Sequence, residues 1–292
     1  MPVWYHRAMG RVHPGEGGGA RARYGPPTLD RRTLLGMALA WALAPSRRAA
    51  GAVDTRNGVF TARATLMYGL FRFEESGIIQ ESIDRTEGRY EVRITGQGQE
   101  MTTEIESTGV LLDGRWAPVR FQDRFVVYGR ESRLEITYDY ARHVVRYRGR
   151  SETFLLRRIR LTDDTLALPA GTHVDDVVSA ALNHSEGRWR PEANGALVTR
   201  VVRRQRGPRE GPDDVEGRYR AELVPFELRV GPDADGRPTA LLDMTRFSSW
   251  ARENEPARIV FGADRRPEAI TATLILGTSL SIRIAPAPAA AS

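Results

Sequence analysis

The feature that most constrains this chain is a period-two alternation of apolar and polar residues, repeated over most of its length with turn residues between the runs. Tyr90, Val92 and Ile94 alternate with Glu91 and Arg93, and Leu134, Ile136, Tyr138 and Tyr140 follow the same rule. Successive side chains of a strand point to opposite faces, so each such run buries one face and solvates the other. The runs Tyr219 to Val230 and Thr239 to Phe247 are separated by Gly231-Pro-Asp-Ala-Asp-Gly236, a turn composition. Near the end, Ala269 to Leu276 and Ser279 to Ile284 flank Gly277-Thr278, where a leading glycine suits a type II′ hairpin. Glu87-Gly88 and Asp113-Gly114 mark further turns, and Pro225 within its run predicts a sheet edge or a bulge. Together these signals predict about ten to twelve strands.

One segment departs from this pattern. Val174, Val177, Val178, Ala181 and Leu182 recur at helical spacing, and Thr172 stands three residues before Asp175 in the order of a capping box. Hairpin-linked strands with one inserted helix predict a mainly β domain, an antiparallel unclosed barrel (a half-barrel) with the α-helix covering one face. Strand–helix alternation of the nucleotide-binding kind is missing from the sequence.

The N-terminal region reads differently. Arg31-Arg32 precede an 11-residue apolar run, Leu34 to Ala44, which is followed by Arg47-Arg48 and the small residues Ala50-Gly51-Ala52. That run suits the core of an export signal and is too short for a bilayer span of ~20 residues. The paired arginines give the signal a twin-arginine character. Residues 1–52 are therefore expected to be a disordered extension plus signal peptide, cleaved after Ala52. Residues 53–284 would form a single domain and 285–292 a disordered tail. The expected location is periplasmic or secreted, with no transmembrane span in the mature protein.

Removing that leader changes the charge. It carries eight of the 43 basic residues and two of the 37 acidic ones, so residues 53–292 hold 35 of each sign. The formal +6 and the basic isoelectric point thus belong to the leader, and a nucleic-acid partner is not expected. Every basic residue is Arg, which excludes a P-loop lysine, a Schiff base and a lysine general base. Cys is absent too, which excludes disulfides, thiolate metal sites and a lipid-anchoring cysteine.

Candidate chemistry is sparse. His173 and His184 flank the helical segment beside Asp175 and Asp176, but 11 helical residues would hold the two imidazoles ~16 Å apart, too far to share an ion. Asp175 and Asp176, with Ser179 and Asn183 on the same stripe, suit an acid/base pair. They suit better the first turn of a helix, where carboxylates meet free N–H groups and the stripe faces solvent or a groove. No nucleophile-elbow, S-x-x-K, H-E-x-x-H or phosphate-loop motif occurs. Arginines are concentrated instead: seven against Glu152 alone within 142–160, and five against no acid within 197–209. If the strands 144–148, 153–161 and 197–204 were neighbours, they would carry a cationic band. In it Arg157, Arg158 and Arg160 interleave with Phe154, Leu156 and Ile159, as an amphipathic anionic ligand would require. The plainer alternative is a solvated sheet face whose acids, such as Glu131 or Asp163, lie across strands.

Several short stretches resemble a family of exported bacterial proteins of unknown function, domain-of-unknown-function family 3108. They are Tyr68-Gly69 with Gly77, Thr108-Gly109 followed by Asp113-Gly114, Trp116, Pro118 and Phe121, the Asp175–Ser179 helix start, and Asp264-Arg-Arg-Pro267 before a strand ending in Leu276. The resemblance spans about residues 58–284 and implies an unclosed half-barrel around a helix, similar in shape to periplasmic lipoprotein carriers. It supplies no catalytic residues. The functional expectation is a soluble, non-enzymatic binding protein holding a lipid-like or anionic ligand through Arg157, Arg158, Arg160, Phe154, Asp175, Asp176 and Ser179, without a cofactor or metal. The alternatives are an assembly factor that docks another envelope protein, and a hydrolase using His173, Asp175 and Asp176.

Overall fold

The structure, a computed structural model, describes residues 53–288 except 154, 155, 208, 209, 211, 212, 216, 249, 250 and 276. Residues 1–52, expected to be an export leader, as well as Phe154 and Leu276, therefore lie outside the described residues. The chain folds as a β meander: β1 (Asp54–Leu66), a 3-10 turn (Met67–Gly69), β2 (Phe71–Asp84), β3 (Arg89–Gly98), β4 (Met101–Leu112), β5 (Arg115–Val127), β6 (Arg130–Asp139), β7 (Val144–Glu152) and β8 (Ile159–Ala167). After the two-residue β9 (Val174–Asp175) and the helix α1 (Val177–Ser185) come β10 (Ala196–Arg204), β11 (Ala221–Pro232), β12 (Pro238–Leu242), β13 (Ala257–Phe261), β14 (Pro267–Leu274) and β15 (Thr278–Pro286).

All fifteen strands form one sheet in the order β8-β7-β6-β5-β4-β3-β2-β1-β15-β14-β13-β12-β11-β10-β9. Every pairing is antiparallel except β9 with β10. The predicted class is therefore correct and the strand count too low. Short strands such as β9, β12 and β13 offer too few alternating positions to register as a period.

The sheet's ends, β8 and β9, do not hydrogen-bond to each other through a ladder. Side chains bridge the gap instead. The Arg160 guanidinium of β8 donates twice to the Asp214 carbonyl, at 2.8 and 2.7 Å, and the Ala221 amide at the start of β11 donates to the Asp164 carboxylate at 2.9 Å. The sheet thus curls until β8 meets the start of β11 and the segment before it across a seam, without a ladder that would close it.

The core lies on the inner face, where Phe60, Ile79, Ile94, Ile105, Trp116 and Phe226 are fully buried. Close strand approach is built on glycine at Gly77 and Gly96, where an added Cβ would fall 2.5 and 2.8 Å from the Phe60 ring. Outside, cross-strand ion pairs such as Arg63–Glu74, Arg93–Glu106 and Arg120–Glu135 cover the solvated face. The acid partner expected across strands is present: Asp163 lies 3.7 Å from Arg146 and 3.8 Å from Arg148.

Several local expectations need correction. β10 pairs with β9 and β11, not with β7 or β8, so the three arginine-rich segments do not form one continuous band. The final hairpin pairs Leu274 with Thr278, a longer connection than two residues, with Gly277 at φ +60°. β15 also runs into the expected tail, pairing Pro286 with Gly58. Pro225 meets its expectation, since β12 pairs only with Leu228 to Pro232 and leaves that stretch bordered by β10 alone.

Candidate functional site

The helix and the strand residues before it are where buried polar chemistry collects. The helix starts later than its periodicity suggests: Val174 and Asp175 form β9, and Asp176 is the N-cap. The Asp176 carboxylate accepts the Ser179 amide at 2.7 Å, and the Ser179 hydroxyl accepts the Asp176 amide at 3.0 Å, a reciprocal capping box. This replaces the expected Thr172–Asp175 box; Thr172 donates its amide to Pro169 in a turn.

The polar stripe does not face solvent. Asp175, Ser179 and Asn183 have no exposed surface, and Asp176 is buried. Asp175 lies at the centre of a set of five hydrogen bonds. One carboxylate oxygen receives the Ser179 hydroxyl at 2.8 Å, the Asn183 amide at 2.9 Å and His173 Nε2 at 3.1 Å; the other receives Arg115 at 2.8 Å and the Thr199 hydroxyl at 2.6 Å. Burial pushes its pKa up, but the hydrogen bond and charge of His173, the Arg115 charge and the Thr199 hydroxyl outweigh burial and hold the carboxyl below its ordinary value. Asp175 is therefore a buried carboxylate with its charge answered.

Asp176 is different. The Ser107 hydroxyl donates to its second oxygen at 2.6 Å, and Tyr90 lies 3.0 Å from that hydroxyl, so the phenol donates onward in a chain. Its partners are neutral groups, and burial pushes the carboxyl up to about 6 despite Ser107 and Ser179. Asn183 fastens the other end of the helix, donating to the Trp116 carbonyl at 2.8 Å and accepting the Trp116 amide at 2.7 Å. These contacts bind the helix to β4 and β5, so it sits inside the curl of the sheet.

Beside this network is a partly open cavity of about 140 Å³. Its walls are Phe121, Leu134, Ile136, Tyr138 and Tyr147 from one end of the sheet, Val201 and Val202 from β10, and Val177 and Phe247, with Asp175 and Asp176 on its border. Arg160, Arg203, Arg204 and Arg206 line the side that faces the seam. The Tyr138 hydroxyl is buried without a hydrogen-bond partner, and so is that of Tyr140, whose ring stacks on Tyr138 at 6.3 Å. Burial and the charges of Asp176 and Asp175 push the Tyr138 phenol well above its ordinary pKa.

The structure separates the other residues named from the sequence. Arg160 is 4% exposed, bound to the Asp214 carbonyl and 3.6 Å from Glu210. Arg157 is exposed and paired with Glu152, while Arg158 is exposed with its amide bound to the Thr153 hydroxyl. These three arginines do not converge on one point: only Arg160 reaches the cavity. His184 packs on Phe261 at 4.6 Å, and burial together with the Arg265 charge pushes it down to about 4. His173 instead serves Asp175, and among the described residues no group of three or more His, Cys, Asp or Glu could hold a metal ion.

Sequence reasoning missed Ser107, Thr199, Tyr90 and Tyr138. Ser107 did leave a signal, since it occupies an inward position in the alternation Met101, Thr103, Ile105, Ser107, where an apolar residue is expected.

Comparison with known proteins adds little to the geometry. No family model matches the chain, so family 3108 is not found, and no curated protein matches. Among solved structures, a β-barrel-like protein of domain of unknown function DUF1849 from Brucella abortus is similar, with 10% identity and a TM-score of 0.36 over 80% of this chain and 98% of that one.

Proposed function

We propose that this is an exported, non-enzymatic binding protein that holds a compact amphipathic ligand inside the half-barrel. The observation that carries the reading is the cavity, about 140 Å³ of space walled mainly by apolar side chains and bordered by a satisfied polar network. Close-packed interiors leave few voids larger than a water molecule, and an apolar cavity of roughly 150 Å³ takes up a benzene-sized guest. A cavity of this size suits one ring or a short branched chain rather than a whole lipid tail.

Its position supports the same reading. The cavity adjoins the seam, where Arg160, Asp164, Asp214 and Ala221 hold β8 to the start of β11 and the segment before it by side-chain contacts in place of a strand ladder. Breaking a few such contacts opens a path without unpairing the sheet, so the seam serves as the entry. Both Asp175 oxygens are occupied, and Asp176 caps the helix, which leaves these carboxylates in structural roles. Export rests on the arginine-flanked leader and its small-residue end.

A second reading, docking of another envelope protein, draws on one surface. The edge strand β8 carries Ile159 and Leu161 exposed to solvent. Native mass spectrometry of the protein recovered from its own host tests the two. A retained small-molecule mass that disappears in Leu134→Phe, which narrows the cavity, is the expected result. A clean apo mass, together with no uptake of small apolar probes, overturns the binding reading.

A further inference from the structure

The antiparallel meander gathers its strand connections at two ends, and the two ends differ. β1 and β7 finish at one end and β15 begins there, so the turns 67–70, 153–158 and 275–277 lie at that end together. Two of these turns carry large apolar side chains into solvent: Tyr68 is 81% exposed, Leu70 78% and Leu156 59%. Tyr68 stands at φ +58° against the third turn, where a Cβ on Gly277 would fall 2.4 Å from its ring. At the opposite end are the turns 85–88, 113–114, 233–237 and 262–266, and among the described residues no strand connection there exposes a large apolar side chain.

The spacing of these tips and the charges beside them indicate what covers them. β2 and β8 stand six places apart in the sheet order, about 29 Å along the sheet at ~4.8 Å per strand. A protein partner packs on one contiguous patch, which tips on separate parts of a rim do not provide. A lipid interface is a plane and takes in separated tips at once. Arg157 and Arg158 follow Leu156 directly, and Arg72 stands two residues after Leu70; all three are exposed. Of the acids beside them, Glu74 pairs with Arg63 and Glu152 with Arg157. Arginine at the base of an apolar tip draws anionic headgroups while the apolar group enters the acyl boundary. We infer that this end of the half-barrel docks on an anionic lipid surface, with Tyr68, Leu70 and Leu156 inserted and Arg72 and Arg158 on the headgroups. The inference goes beyond the binding reading and does not depend on it. Arg204 and Arg206 of the cavity lining lie where β10 finishes, at this same end, so docking sets the cavity beside the lipid.

The test mixes the protein with vesicles of phosphatidylcholine and phosphatidylglycerol in equal parts. The unaltered protein should float with these vesicles and less with phosphatidylcholine alone. Leu70→Ser combined with Leu156→Ser should weaken that binding about tenfold or more, the worth of burying one leucine side chain. Because the sequence has no cysteine, an introduced one carries an environment-sensitive dye at that site alone. A nitrobenzoxadiazole label on Leu70→Cys or Leu156→Cys should brighten and shift to the blue on the mixed vesicles. The same label on Val230→Cys, toward the opposite end of β11, should not respond. Failure of the unaltered protein to float with the mixed vesicles overturns the inference, whether or not the variants fold. Flotation with the labels at 70 and 156 silent, or with the label at 230 responding as strongly, places the attachment elsewhere in the chain and overturns it too. So does equal binding to the two vesicle compositions.

Discussion

The Ser107 hydroxyl of β4 donates to the Asp176 carboxylate at 2.6 Å across 69 residues of sequence, joining the first half of the meander to the cap of α1. That contact and the five around Asp175 turn the helix start into a buried polar hub instead of a surface feature. Such a hub stabilises one arrangement of strands over its alternatives only if every member is satisfied. Its acids therefore contribute more to the fold than their surface-helix reading implies.

Removing the centre of the hub should be severe. Asp175→Ala strips the acceptor from Arg115, His173, Ser179, Asn183 and Thr199 at once. We expect a loss of about 3–5 kcal/mol, the range for breaking a buried charge pair, read from urea unfolding. A loss under about 1 kcal/mol would show that the hub is solvated in solution.

Two tyrosines should respond with opposite signs. Tyr90→Phe removes a donor to Ser107 and should cost about 1 kcal/mol. Tyr138→Phe removes a buried hydroxyl that has no partner, so the ligand-free protein should keep its stability or gain up to about 1 kcal/mol. Thermal melting of the two variants side by side decides it; equal losses would contradict the orphan status of Tyr138.

Glu75 makes the stability depend on pH. Its carboxylate accepts the Thr103 hydroxyl at 3.1 Å, its other oxygen has no partner, and burial pushes the group up to about 7. A raised folded pKa gives stability that is complete below the unfolded value near 4.5 and is lost as pH rises through about 7. Glu75→Gln, which stays neutral, should therefore gain on the parent by up to about 3 kcal/mol at pH 8 and little at pH 4. Unfolding at both pH values measures the difference. His184, pushed down to about 4, acts in the opposite sense between about 6.5 and 4, and the variant comparison cancels it.

Glycines differ by what surrounds them. At Gly96 a Cβ would fall 2.0 Å from the Glu75 carboxylate and 2.8 Å from the Phe60 ring, while at Gly231 it meets nothing within 4 Å. Gly96→Ala should cost about 1–3 kcal/mol from overpacking, and Gly231→Ala should stay within about 0.5 kcal/mol. Denaturant midpoints of the pair provide the check.

Much of this was legible before any fold was drawn. Alternation at Tyr90–Ile94 and Leu134–Tyr140 marks β3 and β6 because side-chain facing in a strand is set by immediate neighbours. The helix was visible for the same reason. Its cap is not legible there, because Thr172 and Asp176 are both residue types that favour an N-cap and only the path of the chain selects between them.

The sequence by itself determined the class of the fold, the absence of cysteine and lysine chemistry, and the surplus of arginine over acid confined to residues 1–52. These are properties of composition and of spacings of two to four residues. The tertiary structure decided the rest: that Arg160 is buried at a seam while Arg157 stays outside, that Thr199 and Ser107 converge on two aspartates, and that a cavity opens beside Tyr138. Burial and hydrogen-bond partnership depend on which distant strands meet, and a local pattern of apolar and polar residues does not encode that choice.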